Sequence, residues 1–257
     1  MAFAIALSDE QWELVADLFD PPGRRGAPAV IPRRSMVDAM SFLARTGCQW
    51  RYLPERYGAW SAVWAQWRRW RANGVWERAM TRLAAVVRIL HDREPWPSMV
   101  MIDAQTVKGA RYGPTSHQAG GPGGRTIGTK RTLLVEILGL PVAAAAGSAR
   151  PHDVRSGRDL LRERIDELPR LRAIVGDRAY RGLAALAERE HVSLDPKAPP
   201  KGASGFIPLW PLYRIEHAFA QLGRWRRLSR CYEGSEASAR AWLEVASVGE
   251  LAWRALA

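Results

Sequence analysis

The feature that most constrains this chain is a short apolar run, M-V-M-I at residues 99–102, preceded by Pro97 and Ser98 and closed by Asp103. Four apolar residues behind a breaker read as a strand buried on both faces. A carboxylate at the exit of such a strand is costly to desolvate unless it is paired or holds a metal. The pattern recurs at residues 171–176 (L-R-A-I-V-G), closed by Asp177. A lone strand-end aspartate often does no more than cap the next turn. Two of them, at the ends of two buried strands, favour a chemical role.

Around these runs the order of elements predicts an α/β fold. Residues 132–138 and 142–148 read as a hairpin about Gly139-Leu140-Pro141. Helices follow at 156–167 and 179–190, with a short strand at 191–194 and a Pro/Gly/Lys loop at 195–211. A basic helix is expected over 212–228 and a closing helix over 236–257. Leu212, Ile215, Phe219 and Leu222 step by three and four, so they form the buried stripe of the basic helix, and Glu216 borders it. Three carboxylates converging on one sheet edge make a site for two hard divalent cations, which prefer oxygen ligands. Glu233, near Gly234, lies where that helix should have ended, a poor anchor for a ligand.

The first 95 residues read as all-helical. Ser8 and Gln11 have capping-box spacing ahead of a helix to Phe19, and further helices are expected at 35–46, 60–70 and 75–90. Trp60, Trp64, Trp67 and Trp70 are spaced as a helical core stripe, which leaves Arg68, Arg69 and Arg71 projecting outward, as a DNA-docking helix in a helix-turn-helix-like fold requires. The Pro-terminated polar stretch 91–95 marks the expected boundary between domains 1–95 and 96–257.

Charge points the same way. The formal net charge is +12, and only four residues are lysine, so arginine carries nearly all of it. Such a charge points to a polyanion, either nucleic acid or an anionic membrane surface, and arginine, which forks onto phosphates and guanine edges, suits DNA. Lys108, Arg125, Lys130 and Arg131 bracket or occupy a Gly-rich stretch (109–131) without a single acid, read as a flexible basic loop. Arg224, Arg226, Arg227 and Arg230 form a second basic group, read as phosphate contacts. No apolar run approaches the roughly 18 residues of a membrane span. The start lacks the basic segment of a signal peptide. Cys48 and Cys231 sit in no metal or redox pattern, so a reducing cytoplasm is the simplest expectation. His117 and His152 read as loop histidines. The glycines at 120–124 do not form a phosphate-binding P-loop.

Four segments in this order carry a resemblance: I-D-A-Q-T-V-K (102–108), K-R-T-L-L-V-E-I-L-G-L-P (130–141), I-V-G-D-R-A-Y-R-G (174–182) and I-E-H-A-F-A-Q-L-G-R-W-R-R-L-S-R-C-Y-E (215–233). With W-R-Y-L-P (50–54) and the Trp/Arg block at 58–78, the chain resembles the DDE transposases of bacterial insertion sequences, family five and its family-four-like kin. The resemblance implies a ribonuclease H-like core with a mixed five-stranded sheet, preceded by the helical DNA-binding domain. It implies Asp103, Asp177 and Glu216 as catalytic, metal-binding residues for two Mg²⁺ ions, with Mn²⁺ able to substitute. It also implies double-stranded DNA, both element ends and target, as the partner of a homodimer that cuts and joins strands. The chain departs from the family pattern at Leu212, His217 and Gly223, where basic residues are usual. A nuclease that cuts without joining, and a decayed or host-adopted DNA-binding protein, are the alternatives.

Overall fold

The computed structural model describes residues 6–23, 30–109, 127–200 and 209–256, and the backbone of 117 and 118. Arg125 and most of the expected basic loop lie outside the described residues.

The chain opens with α1 (Asp9–Glu13) and α2 (Ala16–Phe19). The capping box forms: Ser8 Oγ accepts the Gln11 N–H at 3.2 Å and the Gln11 side chain accepts the Ser8 N–H at 2.9 Å. The single helix expected to Phe19 is split at Leu14-Val15. The longer helices α3 (Arg33–Thr46), α4 (Trp60–Ala72) and α5 (Val75–Leu90) follow. Phe19 holds the layer together, its ring meeting Trp70 and Trp76 edge-on at 4.9 and 4.8 Å.

The second part is a sheet built from β1 (Met99–Lys108), a two-residue β2 (His117–Gln118), β3 (Ile127–Glu136), β4 (Pro141–Ser148), then α6 (Asp153–Arg164), β5 (Ala173–Asp177), α7 (Ala184–Arg189) and β6 (Ser193–Lys197). Two helices close the chain, α8 (Tyr213–Leu222) and α9 (Glu236–Ala255). The five longer strands run β4-β3-β1-β5-β6; β1, β3 and β4 are antiparallel neighbours, and β1, β5 and β6 are parallel. β2 adds only a short rung to β3. This is the mixed sheet of a ribonuclease H-like fold. Val100, Met101, Ile102, Leu133, Leu134 and Val135 are fully buried at its centre.

Several elements differ from the sequence expectation for packing reasons. β1 does not stop before Asp103 but continues to Lys108, because β3 pairs with it along that whole length. β3 likewise begins at Ile127, within the stretch expected to be loop. The basic helix ends at Leu222, not at 228. There Trp225 turns inward, its indole N–H donating to the buried Glu250 carboxylate at 2.7 Å. Gly249 makes room for it: a Cβ there would stand 2.3 Å from the Trp225 ring.

The helical part and the sheet share one hydrophobic core. α9 lies between them and is buried on nearly every side, with Trp242 stacked on Trp67 at 5.3 Å and tilted against Trp50 at 5.8 Å. Residue 95 is thus a change of element type within one packed body. A buried ion pair also crosses that line, from Arg88 of α5 to Glu136 at the end of β3. The Glu136 carboxylate further accepts the N–H groups of Leu138 and Leu140 at 2.7 and 3.1 Å. Removing one partner strands the other charge in the core. Arg88→Ala should cost about 3–5 kcal/mol, read as a lower urea midpoint at unchanged slope; a loss below about 1 kcal/mol would show that the pair is not buried in solution.

Candidate active site

The site arises where two strands part. β1 pairs with β3 from Val100↔Glu136 to Lys108↔Gly128, but with parallel β5 only from Met99↔Ala173 to Met101↔Val175. Asp103 stands two residues beyond the last parallel pair. Asp177 closes β5, exposed, with its carboxylate accepting the Ala179 N–H at 2.9 Å. Clefts at the carboxyl ends of diverging parallel strands are where open α/β sheets bind ligands. α8 packs over β1 and β3 and carries Glu216 in its first turn, exposed. Asp103 and Glu216 line one cleft of about 500 Å³, together with Gln105, Arg131, Phe219 and Leu228.

Asp103 is partly buried, and its carboxyl is pushed up from the ordinary 3.8 to about 6. Desolvation is the largest cause; the charges of Asp177, Asp153 and Glu216 add to it, and the N–H of Ala104, donated at 2.7 Å, opposes it. Asp177 and Glu216 therefore both lie within electrostatic reach of Asp103. Asp153, at the start of α6, is a fourth acid that sequence reasoning passed over; its signal was the His152-Asp153 pair after β4. His152 does cap α6, Nδ1 accepting the Val154 N–H at 3.4 Å.

The donor set suits a hard divalent cation: carboxylate oxygens around a crowded negative charge that a cation would relieve. Among the described residues, however, no three acidic, histidine or cysteine side chains stand close enough to hold an ion as they are placed. The chemistry fits, and the carboxylates would have to be drawn inward.

Comparison with known proteins bears on the whole architecture. Residues 7–80 match a family model described as "Putative transposase of IS4/5 family", and residues 97–198 match the model "Transposase DDE domain". An uncharacterized 16.2 kDa protein of insertion element IS402 from Burkholderia cepacia is 36% identical over 88 residues, which are 32% of this chain and 60% of that protein. The uncharacterized protein y4sN of Sinorhizobium fredii is 34% identical over 118 residues, 45% of this chain and 86% of that protein. The chain belongs to the IS4/5 family of DDE transposases. Among solved structures, a pre-cleavage Mos1 transpososome aligns over 92% of this chain and 80% of that one, at TM-score 0.32 and 13% identity.

The chain distributes its basic residues less evenly than its sequence suggests. Lys130 is buried on β3, its ammonium 2.6 Å from Asp153 and also bonded to the Pro151 carbonyl. Arg131 is buried, lowered to about 10 by desolvation, and donates to the Leu228 carbonyl at 2.5 Å. Arg227 pairs with Glu233 at 2.9 Å and lies over the Trp242 ring at 4.3 Å. These three charges are spent inside the fold, which runs against the expectation that they contact phosphate. Arg68, Arg69, Lys108, Arg224, Arg226 and Arg230 are exposed, and Arg71 is half-exposed over Trp67.

Two further expectations change. Trp67 and Trp70 are core, but Trp60 and Trp64 are each 38% exposed, and Arg51 and Arg68 lie over their rings at 5.6 and 4.9 Å. At 100° per residue the buried set Val63, Gln66, Trp67 and Trp70 faces a direction that leaves Trp60 and Trp64 on the flank. Glu233 is not loosely held: its carboxylate takes Arg227 and the Ser238 hydroxyl, the latter at 2.5 Å. Glu233 is thus committed to the fold, whereas Glu216 faces the cleft.

The raised Asp103 makes a signed prediction. The folded chain holds that proton more tightly than the unfolded one, so the contribution is complete below about pH 4 and is lost as pH rises through about 6. Asp103→Asn should therefore stabilise the metal-free protein at pH 8 by about 1–3 kcal/mol, with the gain vanishing near pH 4. Melting temperatures across pH 4–8 would reveal it, and a pH-independent difference would contradict it.

Proposed function

We propose that the chain binds the inverted-repeat ends of its insertion sequence and carries out metal-dependent strand cleavage and transfer. The observation that carries this reading is that Asp103, desolvated where β1 and β5 part, lies within electrostatic reach of both Asp177 and Glu216. Two Mg²⁺ ions, for which Mn²⁺ can stand in, would be held by these three carboxylates and would activate the attacking oxygen and stabilise the leaving one in phosphodiester displacement. The chain's own contribution is to fix Asp103 on a strand paired along one side, to present Glu216 from a helix packed on that strand, and to draw phosphate to the cleft.

The basic surface supports that last role. Cys231 donates its N–H to the Lys108 carbonyl at 2.9 Å, which brings Lys108 beside the turn bearing Arg224, Arg226 and Arg230. Gly223 and Ser229 of the same turn line the cleft with Asp103. DNA lying along this rim would approach the acids. On α4, Arg68 and Arg69 form a second outward basic patch, read here as the part that holds the element ends, in the manner of a helix docked on the duplex. We read the active species as a homodimer on DNA in the cytoplasm.

Glu216→Gln should abolish Mg²⁺-dependent cleavage and joining on oligonucleotide ends while leaving DNA affinity within about threefold. Glu233→Gln should retain activity. A dead Glu233→Gln protein beside an active Glu216→Gln one would overturn the site, cleavage without joining would point to a nuclease, and wild-type binding without either reaction would leave a DNA-binding protein.

Charge reversal at Arg68 and Arg69 should weaken binding to the ends and flatten its salt dependence by about one unit of slope per lost phosphate contact. Unchanged slopes in a filter-binding or anisotropy series would remove α4 from the interface.

A further inference from the structure

One buried polar group near the acids has no use within the fold. Tyr180 is 1% exposed, and its hydroxyl has no hydrogen-bond partner among the described residues. It sits in the turn after β5, three residues beyond Asp177. Its ring is wedged in place: a Cβ on Gly176 would stand 2.8 Å from the Tyr180 Cβ, and a Cβ on Gly157 of α6 would stand 2.8 Å from its Cε1 and 2.7 Å from Ile102 of β1. The phenol is therefore clamped between β5, α6 and β1, and cannot swing out to water for a partner. Leaving a buried hydroxyl unsatisfied is a cost that folds rarely keep without a use.

We infer that Tyr180 is a positioning residue for the metal site, its hydroxyl donating to the free oxygen of Asp103 once a divalent cation draws the carboxylates together. This rests on reading Asp103 as a cation ligand. Three acids lie within electrostatic reach of the hydroxyl, in the order Asp103, Asp153 and Asp177. Asp153 already faces the Lys130 ammonium, and Asp177 is exposed at the strand end, capping the next turn. Asp103 uses one carboxylate oxygen on the Ala104 N–H, and the other accepts no hydrogen bond among the described residues. Burial, then the three carboxylates, push the phenol above its ordinary range, so it remains a donor. Carboxylates that bind metals are commonly oriented by such outer partners, whose loss costs about 10–100-fold in metal affinity.

Tyr180→Phe separates this role from packing, because it keeps the ring and removes only the orphaned hydroxyl. Mn²⁺ alone, titrated into the full chain and followed by electron paramagnetic resonance, is the probe, with Asp103→Asn as reference. The expected result is that wild type binds, Asp103→Asn does not, and Tyr180→Phe binds about tenfold or more weakly, while its metal-free melting temperature is equal to or above that of wild type. If wild type binds, Asp103→Asn does not, and Tyr180→Phe matches wild type, the Tyr180 inference falls and the metal site stands. A metal-free Tyr180→Phe protein that melts well below wild type also overturns the inference, since the hydroxyl would then have a partner without metal. Equal Mn²⁺ binding by wild type and Asp103→Asn, or none by wild type, overturns the site reading and the inference with it.

Discussion

The unequal pairing of β1 is the constraint on which the site depends. On one side it is hydrogen-bonded to β3 over nine register pairs; on the other it meets β5 over three. The long antiparallel side holds the strand straight past the point where the parallel side lets go, so Asp103 is fixed in backbone and open toward Asp177. β3 is the other half of that constraint. It is buried along nearly its whole length, so each charge it carries must find a partner. Lys130 finds Asp153 at the start of α6, Arg131 the Leu228 carbonyl beyond α8, and Glu136 the guanidinium of Arg88 on α5. Three buried charges thereby tie one strand to three surrounding elements, and one of those, the turn at Leu228, lines the cleft.

α9 is what makes the helical layer and the sheet one body. Its 20 residues are apolar on more than one face because it has neighbours on more than one: α5 and α3 toward the N-terminal layer, β4 and α8 toward the sheet. Charges on its flank tie it to α5 and α6 as well, Arg240 reaching Glu77 of α5, Glu163 of α6 at 2.6 Å and Glu244 of its own helix at 2.9 Å. Through these contacts the helical layer and the sheet share one hydrophobic core on both sides of residue 95.

The sequence by itself determined most of the element pattern and singled out the acids from which the candidate site is argued. Apolar runs with breakers located the buried strands, and three-and-four spacing located α3, α4, α5 and α8; each is a local pattern, readable without knowing its neighbours, whereas the mixed sheet came from the family resemblance of four ordered segments. Asp103 and Asp177 stood out because a charge beside a buried strand is expensive, and Glu216 because it bordered an apolar stripe. Only the tertiary structure decided which charges reach solvent. Lys130, Arg131 and Arg227 look no different in sequence from Lys108, Arg224 and Arg226, and Trp60 no different from Trp67. Their fates depend on elements distant along the chain: α6 over Lys130, the 226–228 turn over Arg131, α9 over Trp67. The same holds for the early end of α8, set by a slot at Gly249, and for Tyr180, whose hydroxyl is singled out only because glycines in β5 and α6 clamp its ring. Periodicity is a property of one segment, but burial belongs to pairs of segments, and the second member of each pair lies beyond the reach of any local reading.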